Sequence, residues 1–263
     1  MTTALPCTNP VVEILSQGDE VITGQVTDTN AAWLAQALTP MGCRVRRHTA
    51  VGDRLEDIVA VLRETVARAD IVLCSGGLGP TSDDLTAEAV SVAFALPLAL
   101  DPVALAMIHA WMTRRGRPLA ACNEKQAWLP VGATRLDNHW GTAPGFAWYQ
   151  GACWLVCMPG VPREMQAMFD YWIKPRIQAD YRLCPPRWTV FHTIGEGESA
   201  LQERIDRLNL PTTLRLGFLA RETGVAVKLV FSDDLDQTGR NQWVSAVSTA
   251  LGACVVRMDS NET

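Results

Sequence analysis

A doubly wound α/β domain followed by a smaller α+β unit is what this sequence predicts, on three observations. Between residues 11 and 180, short apolar runs alternate with segments whose apolar residues recur at helical spacing. The run Ile71-Val72-Leu73-Cys74 is continuously apolar, as a parallel strand covered on both faces should be. After Pro185-Pro186 the order changes to strand, helix, two strands, helix, strand, the pattern of a split βαβ unit. The expected domains are therefore 1–180 and 187–258.

Taken in order, "VVEIL" is an apolar strand. "TNAAWLAQAL" places Ala31, Leu34, Ala35 and Leu38 on one helical face, with Asp28 to Asn30 available to cap it. "CRVRRHTAV" is a strand, and Leu55, Ile58, Val59, Leu62 and Val66 make an amphipathic helix. "IVLC" is the buried strand. "LTAEAVSVAFAL" is a helix with Leu85, Ala89, Val92 and Leu96 aligned. "SVAFALPLALDPVALAMIHAWM" is the most hydrophobic window, but two prolines, an aspartate and a histidine make it a helix, a short extended link and a second helix rather than a membrane span. "GFAWYQ" and "ACWLVCM" are strands of a hairpin turning at "QG". Pro162 suits the first position of the next helix, whose buried stripe is Met165, Met168, Phe169 and Trp172. In the second unit the strands are "RWTVFHTI", "TTLRLGFLA", "GVAVKLVFS" and "ACVVRM", and the helices "GESALQERIDRL" and "TGRNQWVSAVSTAL".

The 263 residues are 48% hydrophobic and 19% charged, which excludes a disordered chain. A net charge of −5 argues against duplex binding, which needs a basic face. The start "MTTALPCTNPVVEILSQ" lacks a basic segment and an apolar core, so no secretory signal is expected and a cytoplasmic location is. There are eight cysteines and no C-x-x-C pair. Cys153 and Cys157, on one face of a strand, would lie roughly 13 Å apart at about 3.3 Å per residue. Reduced core cysteines are the expectation. The four histidines show no i, i+4 pair, which disfavours a histidine-rich zinc site.

The stretch "CSGGLGPTSDDLT" sits where a central strand turns into a helix, the edge along which open α/β sheets bind ligands. Gly76, Gly77 and Gly79 allow a ligand close to main-chain amides. A helix beginning near Asp84 would offer free N–H groups to a phosphate, with Thr81 and Ser82 adding hydroxyls. Asp83 and Asp84 then pose a problem, because acids beside a phosphate repel it. A bound divalent cation would resolve this; one of the pair capping the helix is the plainer alternative. "GDE" at residues 18–20, after the first strand, brings Asp19 to the same edge, or is simply a turn. "GTAPG" and "PGVPRE" are further glycine loops; Glu164 in the latter is a metal or base candidate or a first-turn acid. Lys125 of "NEKQA" is a phosphate partner or a surface charge. No Walker A, dinucleotide G-x-G-x-x-G or G-x-S-x-G motif is present.

"GDEVITGQVTDTN", "GGLGPTSDDLTAEAV", "NEKQAWLPVGATRLDN", "GTAPGF" and "MPGVPREMQAMF" occur in the order found in the competence/damage-inducible protein A (CinA) family, which the chain resembles over about residues 11–175. Residues 187–257, with "TIGEGESALQERI", resemble that family's KH-like domain, and the first domain resembles the wider molybdopterin-binding (MoCF biosynthesis) fold. The resemblance implies a homodimeric, divalent-metal-dependent (Mg²⁺, Mn²⁺ or Co²⁺) pyrophosphatase of ADP-ribose or a related dinucleotide. It implies metal ligation by Asp19, Asp83 and Asp84, catalytic roles for Asp83, Asp84 and Lys125, and ligand contacts from Ser75, Gly76, Gly77, Gly79, Thr81, Thr142, Gly145 and Gly160. A metal-activated water would attack the diphosphate, giving AMP and ribose 5-phosphate, with Lys125 stabilising the departing phosphate. The alternative is non-catalytic binding of molybdopterin or an adenylylated pterin. Many members carry a C-terminal deamidase domain; this chain ends at Thr263, so deamidase activity is not expected. RNA binding is not expected either, because the acidic "GEGE" of residues 195–198 does not match the G-x-x-G loop of RNA-binding KH domains.

Overall fold

The computed structural model describes residues 8–118, 120–232 and 234–261, and the chain folds as two units, Met1–Cys184 and Pro185–Thr263. The elements of the first are β1 (Val11–Gln17), α1 (Asp19–Ile22), α2 (Thr29–Leu38), β2 (Arg44–Val51), α3 (Leu55–Val66), β3 (Ile71–Ser75), α4 (Thr86–Phe94), β4 (Leu98–Leu100), α5 (Pro102–Arg114), β5 (Trp128–Pro130), β6 (Thr134–Leu136), β7 (Gly145–Gln150), β8 (Cys153–Met158), α6 (Pro162–Met168) and α7 (Lys174–Asp180). The main sheet runs β2-β1-β3-β8-β7-β6. Its first four strands are parallel, and β7 and β6 are added antiparallel. The fold is thus the α/β, mostly parallel architecture that the sequence predicts.

Successive side chains of a strand face opposite sides, and here both sides are covered. Ile14, Leu73 and Val156 join Leu34 of α2 and Met165 of α6 in one layer. Leu15, Val72 and Leu155 join Ile58 of α3 and Val90 of α4 in the other. Every residue of β3 is buried, which is why its sequence shows no alternation. The predicted extended link is a short strand, β4, paired antiparallel with β5. The Asp101 carboxylate caps α5, accepting from Val103 N and Ala104 N at 2.9 Å each. A π-helical turn, Phe169–Ile173, joins α6 to α7, and Phe169 packs edge-on against Trp33 with ring centroids 5.5 Å apart.

One charge lies inside this unit. Glu13 is fully buried on β1 and accepts from one edge of the Arg68 guanidinium, Nε at 2.6 Å and Nη2 at 2.8 Å.

The cysteine expectation needs one correction. Cys43, Cys74, Cys153 and Cys157 are buried free thiols, and burial pushes the Cys153 thiol up to about 12, so it stays protonated at neutral pH. Cys122 is free but exposed. Cys184, in contrast, is disulfide-bonded; Cys7 lies outside the described residues. Asn9 lies against Cys184, its Oδ1 accepting from Cys184 N at 2.8 Å and its Nδ2 donating to Cys184 O at 3.0 Å. Such proximity across the length of a unit leaves no trace in local spacing. Among the described residues no helix is long and apolar enough to cross a membrane.

The second unit comprises β9 (Arg187–Thr193), α8 (Glu198–Asp206), β10 (Leu214–Arg221), β11 (Gly224–Phe231), α9 (Gln237–Leu251) and β12 (Val255–Ser260). Its antiparallel sheet runs β10-β11-β9-β12, so the strands joined by α8 flank β11. Phe191, Leu201, Val227 and Leu251 centre its core. On β12, Asp259 accepts from Arg257 Nη2 at 2.5 Å and lies 2.8 Å from His192 Nε2. The Arg257 guanidinium first, then His192, hold the Asp259 carboxyl down at about 2, from 3.8. A folded value below the unfolded one stabilises above the unfolded pKa and is lost as pH falls through the folded one. The stability margin of the wild type over Asp259→Asn is therefore present at pH 5 and shrinks between pH 3.8 and about 2. Urea titrations of both proteins across that window measure it; an unchanged margin refutes the pairing.

Candidate ligand-binding site

Four loops meet at the carboxyl ends of β1, β2, β3 and β8, where chain turns into helix. With the 142–143 loop they enclose a cleft of about 390 Å³. Its floor is main chain. Gly76 (φ 111°) and Gly77 (φ 66°) adopt conformations that only glycine takes at low cost. A Cβ on Gly76 would stand 2.4 Å from Gln17 O, and one on Gly160 3.3 Å from Gly76 Cα. The loops after β1, β3 and β8 therefore touch backbone to backbone.

Several polar groups in and beside the 76–84 loop are engaged within the protein. Gly76 N–H donates to Met158 O at 3.0 Å. α4 begins at Thr86 rather than near Asp84; Thr86 N–H donates to Gly77 O at 3.0 Å and its hydroxyl to Gly76 O at 2.8 Å, with Gln17 Oε1 also in contact. Asp84 closes the loop instead of capping a helix: its Oδ2 accepts from Thr81 N at 2.8 Å and lies 2.5 Å from Thr81 Oγ1. The single Thr81 hydroxyl proton lies between two carboxylates and serves one at a time. That hydroxyl first, then Asp83's own amide and the charge of Lys125, hold the Asp83 carboxyl below the usual aspartate value, so it is ionised at neutral pH. Lys125, on a short 3₁₀ turn, reaches the loop from outside and donates to Thr81 O at 2.6 Å.

Asp19 does not face the cleft. Its Oδ1 accepts from Asp53 N at 3.0 Å while its own N–H donates to Asp53 Oδ2 at 2.9 Å. Glu20 and Asp53 line the cleft in its place, and Gln17 Nε2 donates to Asp53 Oδ1 at 2.9 Å. The expected metal trio is thus separated: Asp19 serves the β2–α3 loop, Asp84 serves Thr81, and Asp83 stands beside Lys125. Among the described residues no group of three or more His, Cys, Asp or Glu could hold a metal ion. The three predicted ligands are therefore not gathered into one cluster, although Asp83 and Asp84 both line the cleft.

Of the predicted site residues, Gly76, Gly77, Gly79, Asp83, Asp84, Thr142 and Gly160 line the cleft. Ser75 lies behind it, accepting from Asn30 Nδ2 at 2.8 Å and lining an adjoining pocket of about 120 Å³. Gly145 is a packing residue, since a Cβ there would stand 2.6 Å from Cys157 O. Thr81 and Lys125 brace the rim. Glu164 lines the cleft from the first turn of α6, its Oε2 accepting from Asn138 Nδ2 at 2.6 Å. Sequence reasoning missed Gln17, Asp53 and Gln126. Asp53 follows β2, so the rule that ligands sit at strand carboxyl ends could have found it. Gln126 is only 6% exposed, its Nε2 donates to Thr142 Oγ1 at 3.2 Å, and its Oε1 has no partner.

Fold and cleft define a class: α/β domains with a cleft at the carboxyl edge of a mostly parallel sheet, the edge along which such sheets bind ligands. The chain belongs to the CinA-like members of the MoCF biosynthesis family, whose model, described as "Probable molybdopterin binding domain", matches residues 13–179. It is 42% identical over 219 residues to a CinA-like protein of Shewanella sediminis, covering 83% of this chain and 52% of that one. It is 36% identical over 249 residues to the nicotinamide-nucleotide amidohydrolase PncC of Shewanella oneidensis, covering 94% of this chain and 59% of that one. The chain therefore spans between 52% and 59% of the length of these relatives. A crystal structure of CinA from Thermoplasma acidophilum is 34% identical, with a TM-score of 0.59 over 64% of this chain and 98% of that one.

These relatives correct the expected activity. They are named as CinA-like proteins and as an amidohydrolase of nicotinamide nucleotide, which points away from ADP-ribose pyrophosphate hydrolysis. The expected activity came from the family resemblance, and the Asp83-Asp84 pair agreed with it, but both carboxylates turn to the Thr81 hydroxyl.

Proposed function

We propose that the first unit binds a planar heterocycle bearing a phosphate, of the pterin or nicotinamide-nucleotide kind. The observation that carries this is the glycine-floored cleft at the carboxyl edge of the sheet, walled by hydrogen-bonding side chains and open enough at about 390 Å³ for a small heterocycle. The family description supports a pterin and the name of one relative supports a nicotinamide nucleotide.

A second reading adds catalysis, favoured by that relative's name and by the carboxylates in the cleft. Asp83 is ionised at neutral pH, and Glu164 lines the same cleft; either can take a proton from a water attacking the nicotinamide amide, releasing ammonia.

Titration calorimetry with nicotinamide mononucleotide and with dihydroneopterin phosphate tests the first reading. Saturable binding of one of them is expected; no binding of either at millimolar concentration removes it. Ammonia release from nicotinamide mononucleotide, abolished in both Glu164→Gln and Asp83→Asn or in one of them, is expected from the second. Binding without ammonia leaves the first reading alone standing.

A further inference from the structure

Beside the cleft, and sharing Thr142, Val161 and Glu164 with it, lies a larger one of about 610 Å³. The two differ in charge. The first is lined by five carboxylates, Glu20, Asp53, Asp83, Asp84 and Glu164, and among the described residues by no basic side chain. The second is lined by Arg115, Arg117 and Arg163, by His139, and by a single carboxylate, the shared Glu164. Its aromatic residues are Trp111, over which the Arg115 guanidinium lies 4.8 Å from the ring centroid, and Trp140, which is 38% exposed. Among the described residues Arg117 and Arg163 have no ion-pair partner.

A phosphate placed on the glycine floor would face those five carboxylates, and among the described residues no basic side chain lines that cleft to offset them. A phosphate placed among guanidiniums meets planar, permanently charged donors suited to its oxygens. The first cleft has the opposite need. Gln126 Oε1, buried there without a partner, requires an N–H or O–H donor. The carboxylates around it favour a donor-rich or cationic group, such as a carboxamide, a pyridinium or the amino-oxo edge of a pterin.

We infer that the ligand lies across both clefts, its phosphate among Arg115, Arg117 and Arg163 and its donor-bearing heterocycle in the carboxylate cleft against Gln126. This reverses the direction that the glycine loop suggested, and it rests on the binding reading above. Arg117 and Arg163 are then specificity residues for the phosphate, and Gln126 one for the ring.

The test compares ligands that differ only by the phosphate: nicotinamide mononucleotide against nicotinamide riboside, and dihydroneopterin phosphate against dihydroneopterin. The two pairs also tell which heterocycle is held. Arg117→Ala and Arg163→Ala, both at exposed positions, should each weaken the phosphorylated form about 10- to 100-fold, the worth of one charged hydrogen-bonded contact. They should leave the phosphate-free form unchanged. Arg46→Ala, an exposed change on β2, controls for net charge and should change neither. Gln126→Leu should weaken both forms alike, with circular dichroism confirming that each variant folds. If the wild type binds a phosphorylated ligand and both arginine variants bind it equally well, the orientation is overturned while the binding reading stands. A loss confined to the phosphorylated form in Gln126→Leu overturns it too. No binding by the wild type overturns both.

Discussion

Arg68→Ala should destabilise the first unit, because it strands the buried partner of an ion pair. Glu13 is fully buried in β1, between β2 and β3, and Arg68 supplies the charge that balances it. Removing the guanidinium leaves that carboxylate without its counter-ion. The pair as a whole is not what stabilises the sheet, however. Replacing both residues with apolar ones of similar volume, Glu13→Leu with Arg68→Met, should recover most of the loss, because neither charge then has to be desolvated. Urea unfolding of the single and double variants measures this, and a double variant as unstable as Arg68→Ala would show that the pair does more than neutralise itself.

Phe169→Ala should cost about 3–5 kcal/mol, by opening a cavity where collapse is hindered. Phe169 is fully buried, sits in the π-helical turn between α6 and α7, and packs edge-on against Trp33 of α2. At about 2–4 °C per kcal/mol for a unit of this size, the melting temperature should fall by about 6–20 °C. Trp172→Ala, at a partly buried position, should cost less. Calorimetry ranks the two; the reverse order would mean that the layer between α2 and α6 is held elsewhere.

The fold was legible because its signals are local. Leu55 to Val66 announces a helix by spacing, Ile71 to Cys74 a covered strand by lack of alternation, and Gln150-Gly151 a hairpin by turn chemistry. The chain edge that forms the cleft was legible for the same reason, since glycines after apolar runs mark strand ends. What was not legible is which way a side chain turns once there. Asp19 faces Asp53 and not the cleft because two loops distant in sequence exchange hydrogen bonds. Asp84 folds back on Thr81, a contact within the loop that competes with any ligand. The second cleft draws Trp111 and Arg115 from around the end of α5, Trp140 from the loop after β6 and Arg163 from α6, and no motif joins them. The disulfide at Cys184 belongs with these, being a matter of folded proximity alone.

The backbone contact between Gly76 and Gly160 has a consequence for how such a pocket diversifies. A base made of peptide groups offers the same chemistry whatever the neighbouring codons become; an added carbon at Gly76 would collide with Gln17 O, and one at Gly160 would press on Gly76. Drift in that base is therefore costly and uninformative about ligand choice. Innovation has to come from the surrounding rim, where exposed arginines and tryptophans can be exchanged one at a time without disturbing the platform beneath.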